Sequence, residues 1–180
     1  MELKAPAYLM LGMVRLGARS GYAIKRAADA STRFFWPTSL AQVYPMLARL
    51  ESAGLLGRSE DSRGARARFS YALSAEGEAA LLDWLRSPEE APVRFRDEGL
   101  LRLFFADALP PADQLILVQR LRQRAEAAAE QVAGQVAPYA EGLERSGLRF
   151  PALAARLGAE SYGHAAAWLA RLEAKLEASQ

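Results

Sequence analysis

The apolar residues of the first 86 positions keep a helical period three times over, switch to a period of two, and then return to the helical one. That order of periods restricts the fold more than any single residue does. Leu9, Met10, Met13 and Val14 share one face of a helix over 5–16, and Gly17 follows as its stop. Ser20 stands as N-cap before a second helix, GYAIKRAADAS, with Ile24, Ala27 and Ala28 inward and Lys25, Arg26 and Asp29 outward. After Pro37, Ser39 and Gln42 have the spacing of a capping box, which starts a third helix over 40–53. That helix buries Val43, Leu47 and Leu50 and shows Gln42, Tyr44, Met46 and Arg49 on its other face. Gly54 ends it. Leu55-Leu56, a polar stretch and the alternating segment 68–73 then predict a β-hairpin with an arginine-rich tip. Ser74 caps a fourth helix over 75–86, with Leu81, Leu82 and Leu85 inward.

The remainder is helical. Residues 87–96 contain prolines and acids and read as a linker. A helix over 97–109 meets Pro110-Pro111, and Pro111 suits the first turn of a long helix that Pro138 ends or kinks. A last helix covers 152–178. The expected fold is mainly α: a winged helix-turn-helix over 1–86 (three helices, a hairpin wing and a fourth helix), then a helical dimerisation bundle over 97–180.

Charge is unevenly spread. Residues 1–72 hold eleven Lys/Arg against five Asp/Glu, and residues 73–180 hold twelve against sixteen, so +6 faces −4. A basic first half points to a polyanionic partner. There is no cysteine, which excludes disulfides and thiolate metal sites. No apolar run approaches the roughly 18 residues of a membrane span. The N-terminal stretch is interrupted by Arg15 and lacks a small-residue cleavage site, so no signal peptide is expected and a cytoplasmic location is.

Catalysis has little to stand on. The lone histidine, His164, lies in a helical segment without a second histidine, and no GxSxG or phosphate-binding loop occurs. Glu89-Glu90 and Asp97-Glu98 are adjacent pairs, whose side chains diverge on a helix and cannot share a proton. No catalytic residue, metal or cofactor is expected.

The winged order suits duplex DNA. An α-helix fits the major groove, where Gln42 can pair with adenine, while Tyr44 and Arg49 reach phosphates. Arg63, Arg66 and Arg68 at the hairpin tip can meet phosphates or the minor groove. Plainer readings stand beside these: Gln42 closing its capping box, Tyr44 packing its ring, the arginines forming a solvated turn.

The stretches LMLGMVRLGARSGYAIKRA, FFWPTSLAQVYPMLARLESAGLL and RFSYALSAEGEAAL together resemble the PadR family of bacterial transcription regulators. Ser20-Gly21-Tyr22, Val43-Tyr44-Pro45, Arg49-Leu50-Glu51, Gly54-Leu55 and Tyr71-Ala72-Leu73-Ser74 ahead of Gly77 carry the likeness over about residues 5–85. Arg96-Asp97-Glu98, Leu103-Phe104-Phe105 and Trp168-Leu169 resemble the longer subgroup, whose C-terminal helices pair the subunits. The resemblance implies a homodimer on a pseudo-palindromic operator, usually acting as a repressor. It assigns DNA contact to Ser39, Gln42, Tyr44, Arg49 and the wing arginines, and places Tyr22 near the phosphate backbone, with Ser20 beside it as a further expected DNA contact. The wing tip SRGARAR and the Ala41-Gln42 pair depart from the family pattern.

In the second half, Leu115, Val118, Leu121, Ala125 and Val132 form a long apolar stripe that calls for partner helices. Phe104, Phe105, Leu115, Val118, Leu121 and Trp168 are the expected dimer seam. Aromatic residues gathered there can also line a pocket for a flat apolar effector, against the alternative of ordinary core packing. The competing function is a winged-helix protein-interaction module without DNA readout.

Overall fold

The structure, a computed structural model, describes residues 3–61, 68–88 and 96–178. The chain divides into two compact units, Met1–Ala91 and Pro92–Gln180.

The first unit begins with α1 (Ala5–Arg15), α2 (Gly21–Ala30) and α3 (Leu40–Ser52). Their inward stripes meet in one core: Met10 and Leu11 from α1, Ile24 and Ala28 from α2, and Val43, Leu47 and Leu50 from α3 are all but sealed from solvent. Burial of each large member contributes about 1.5–3 kcal/mol, which is what holds three short helices in place. Gly17 and Gly54 follow α1 and α3 with φ of +94° and +73°, the left-handed region in which a side chain is strained. Pro45 lies inside α3 and is exposed, so the helix runs on without the hydrogen bond its missing N–H would make to the Ala41 carbonyl.

Strands β1 (Leu56–Asp61) and β2 (Arg68–Leu73) pair antiparallel, with Leu56 opposite Leu73 and Asp61 opposite Arg68. The Tyr71 N–H, on the edge away from β1, donates to the Arg19 carbonyl at 2.8 Å and ties the wing to the turn before α2. Helix α4 (Ala75–Arg86) starts at Ser74, whose hydroxyl accepts from the Gly77 N–H at 2.9 Å. A Cβ on Gly77 would stand 2.0 Å from the Leu55 carbonyl oxygen, so only glycine lets α4 lie this close to the start of the hairpin. Leu81 is buried as its spacing predicts, but Leu85 is 64% exposed. Near the end of α4 it is Trp84 that packs, stacking on Tyr8 of α1 with ring centroids 4.7 Å apart.

The second unit comprises α5 (Glu98–Phe104), α6 (Pro111–Gln131), α7 (Ala137–Arg145) and α8 (Arg149–Glu177). The Asp97 carboxylate caps α5 by accepting from the N–H groups of Gly99 and Leu100 at 2.7 and 3.3 Å. The helix expected over 97–109 stops at Phe104 and yields to a short 3₁₀ turn, Ala106–Ala108. Leu109 is extended, as a residue before proline must be. A π-turn, Val132–Val136, separates α6 from α7, and Pro138 occupies the first turn of α7. The break foreseen at Pro138 is therefore realised just ahead of it.

Helices α6 and α8 run antiparallel. Gln119 and Arg122 meet Glu173 at one end, while Val132 approaches Gly158 at the other. Between them lie Val118, Ala125, Ala166 and Leu169, flanked by Leu103, Leu121 and Leu172. Arg122 is held by Glu126 at 2.8 Å and by Glu173 at 2.7 Å. Their negative charges, Glu126 foremost, bind its proton more firmly than an ordinary guanidinium binds one.

Candidate nucleic-acid interface

The outer face of α3 is polar and low. Ala41, Gln42, Tyr44, Pro45, Ala48, Arg49 and Ser52 are all exposed. The small residues Ala41 and Ala48 leave Gln42, Tyr44 and Arg49 standing above the backbone. At the N-terminus the capping box is closed: the Ser39 N–H donates to Gln42 Oε1 at 3.0 Å. The Ser39 and Thr38 hydroxyls lie 3.3 and 3.5 Å from the same oxygen. Gln42 thus does what its spacing to Ser39 suggests and remains on the surface while doing it.

Tyr44 is 52% exposed, yet one side of its ring is seated. A Cβ on Gly21 would fall 2.5 Å from Tyr44 Cε1, so the ring rests on the bare backbone at the start of α2. Ser20 caps that helix, its hydroxyl accepting from the Ala23 N–H at 3.1 Å. Tyr22, the next residue but one, is 65% exposed. Ser20, Tyr22 and Tyr44 are thereby gathered around the N-terminus of α2, where the helix dipole favours an anion. Arg49 lies more than one turn further along α3, on its exposed face.

Charge around this surface is partly settled within the unit. Lys25 pairs with Asp29. Arg15 meets Glu78 at 2.8 Å, and Arg58 meets Glu51 at 3.1 Å while stacking over Phe69. These acids lie beside bases, which limits how far they repel a polyanion. Arg19 and Arg26 are exposed, and Arg26 falls one turn after Tyr22 on the same face of α2. Sequence reasoning passed over both as contact residues, although the i, i+4 spacing from Tyr22 was there to be used. Arg63 and Arg66 lie outside the described residues, as does the side chain of Arg68, whose backbone opens β2.

The expected dimer seam is only partly on the surface. Phe104 and Phe105 are 78% and 62% exposed and meet edge to face, and Trp168 is 46% exposed. Val118 is a correction: it is 1% exposed, and α8 of the same chain covers it. Leu115 and Leu121 are half-buried, with Leu121 packed against the same intramolecular core. The stripe on α6 called for a helix to cover it, and α8 supplies one from within the chain. A cavity of about 350 Å³ in this unit is lined by Leu100, Leu103, Leu121, Arg124, Tyr162 and Trp168 among others. Among the described residues, no group of acids and histidine could hold a metal ion, and no helix is long and apolar enough to cross a membrane.

Comparison with known proteins agrees with this architecture. The family described as "Transcriptional regulator PadR-like family" matches residues 10–83, and "Virulence activator alpha C-term" matches residues 95–177. The negative transcriptional regulator PadR of Bacillus subtilis (strain 168) is 30% identical over 103 residues. That match spans 57% of this chain and 57% of the length of that relative. In fold, the chain is similar to B. subtilis PadR solved in complex with operator DNA, with a TM-score of 0.84, 24% identity, and 96% of this chain and 99% of that one covered. It is similar also to B. subtilis PadR solved with p-coumaric acid, with a TM-score of 0.75, 20% identity, and 98% and 99% covered. With both regions matched in the same order, and with the helix-turn-helix and wing in place, the chain carries a PadR-like transcriptional-regulator region over residues 10–83, followed by a virulence-activator C-terminal region over residues 95–177.

Proposed function

We propose that the protein binds operator DNA as a homodimer and represses transcription from it. The observation that carries this reading is the outer face of α3, polar and exposed, with Tyr44 seated on Gly21 beside the capped start of α2. A helix presented in this way fits the major groove, and the N-terminus of α2 faces a phosphate. Ser20, Tyr22, Tyr44 and Arg49 position the protein on the backbone; Ser39 and Gln42 face the base edges. Arg63, Arg66 and Arg68 follow the adjacent phosphates or minor groove. The relative solved on operator DNA supports the same role.

Dimerisation through the second unit, around Phe104, Phe105 and Trp168, sets two such helices about 34 Å apart, one turn of duplex. An apolar aromatic effector acts in the second unit, where the cavity beside Tyr162 and Trp168 is within the usual size range for a small ligand. A ligand favouring one spacing of the subunits releases the operator. The protein works in the cytoplasm, where the operator is.

Selection of bound duplexes from a random pool by the purified protein tests this reading. Two inverted half-sites one turn apart are expected, with affinity falling steeply as salt rises. Failure to enrich any duplex at low ionic strength refutes it and favours a protein-interaction module.

A further inference from the structure

The capping box dictates what Gln42 is able to read. A bidentate contact from glutamine to adenine uses both ends of the amide: the carbonyl accepts from adenine N6, and the NH₂ donates to N7. Here the carbonyl is already engaged. The Ser39 N–H can only donate, so the Gln42 atom facing it at 3.0 Å is Oε1. The Ser39 and Thr38 hydroxyls crowd the same oxygen at 3.3 and 3.5 Å. Turning the carbonyl outward would open the capping box and leave the first turn of α3 without its reciprocal bond.

We infer that Gln42 reads its base as a donor only, and that its specificity is for guanine. The inference rests on the reading that α3 enters the major groove. Guanine presents two adjacent acceptors there, N7 and O6, and the two hydrogens of one NH₂ group can serve both. Adenine sets its N6 amino group beside N7, so an outward NH₂ meets a donor with a donor. Cytosine offers a donor alone, and thymine a single acceptor, O4, beside its methyl group, so guanine is the base that can engage both hydrogens of the amide. The expectation from residue type, that Gln42 pairs with adenine, therefore gives way once the cap is taken into account.

The test uses the full chain, a random duplex pool, and the variants Gln42→Ala and Gln42→Glu. A glutamate at this position still accepts from the Ser39 N–H and keeps the cap, but it has no hydrogen to donate. The wild type is expected to prefer guanine over adenine by about tenfold at one position of each half-site, in line with the weight of a good base contact. Both variants should lose that preference and keep the others, and Gln42→Glu should shift the position toward cytosine, whose N4 donates. Adenine at the position relaxed by the substitutions overturns the inference and leaves DNA binding standing. So does a pool whose preferences neither variant changes. A wild type that enriches no duplex overturns the DNA-binding reading, and this inference with it.

Discussion

The Tyr44 ring of α3 rests on Gly21, the first residue of α2, so closely that a methyl group there would come within 2.5 Å of Cε1. Two short sequence signatures, Ser20-Gly21-Tyr22 and Val43-Tyr44-Pro45, are thus two sides of one contact. What stands in the way of a Cβ is a half-exposed side chain, which can swing aside. Gly21→Ala is therefore expected to change stability by less than about 1 kcal/mol, since alanine also favours the helix. It displaces the tyrosine from its seat, and affinity for the selected operator should fall about tenfold or more. Denaturant unfolding and operator titration of the same sample check this; a stable variant with unaltered affinity would show that the seating of Tyr44 is irrelevant to DNA.

Gly77→Ala is expected to behave in the opposite way. Its Cβ would meet the Leu55 carbonyl at 2.0 Å, and backbone has no rotamer by which to yield. Either α4 moves off the hairpin or the wing shifts, and a loss of about 3 kcal/mol or more is expected, at the large end for single substitutions. The midpoint of chemical unfolding measures it. A variant within 1 kcal/mol of wild type, on the scale of an ordinary surface change, would contradict the packing described for α4.

Val118 and Phe104 separate folding from pairing. Val118→Ala removes two methyl groups from the core between α6 and α8, and a loss of about 1–2 kcal/mol is expected from the lost burial. Phe104→Ser removes an exposed ring and should leave the protomer folded while weakening self-association. Sedimentation at several concentrations, read beside the thermal midpoint, distinguishes the two. The assignment of the seam fails if Phe104→Ser sediments like the wild type at every concentration.

Arg63→Ala and Arg66→Ala should weaken binding to all duplexes alike and flatten the dependence of affinity on salt by about one counterion each, because a phosphate contact carries no sequence. Competition between specific and random duplexes across a salt series reads both quantities. A change in sequence preference without a change in slope would make these arginines base readers instead.

The first unit was largely legible because its helices each carry their own punctuation. Ser20, Ser39 and Ser74 cap, Gly17 and Gly54 stop, and Val43, Leu47 and Leu50 fall where a 3.6-residue period puts them. The Tyr44–Gly21 contact was not legible, since it depends on the angle between two helices, which local spacing does not encode. The partner of the α6 stripe was illegible for a related reason. An apolar face demands burial but does not say whose chain supplies it, and Val118 found α8 of its own. Leu85 was placed inward by period alone, yet the end of α4 lies at the edge of the core, where Trp84 stacks on Tyr8 while still 44% exposed and Leu85 is left 64% exposed. The role of Gln42 lay between these cases: its cap could be read from spacing, but which end of the amide remained was settled by the hydrogen-bond geometry.

The hydrogen bond from Tyr71 to the Arg19 carbonyl makes the hairpin base and the approach to α2 a single girder. A pull on the wing from a groove, in the binding mode proposed above, would be delivered along backbone, without a flexible side chain in between, to the turn that carries Ser20 and leads into α2. On the proposed reading, wing and α2 would meet a half-site as one piece, and a regulatory signal would then act on the spacing and tilt of two such pieces.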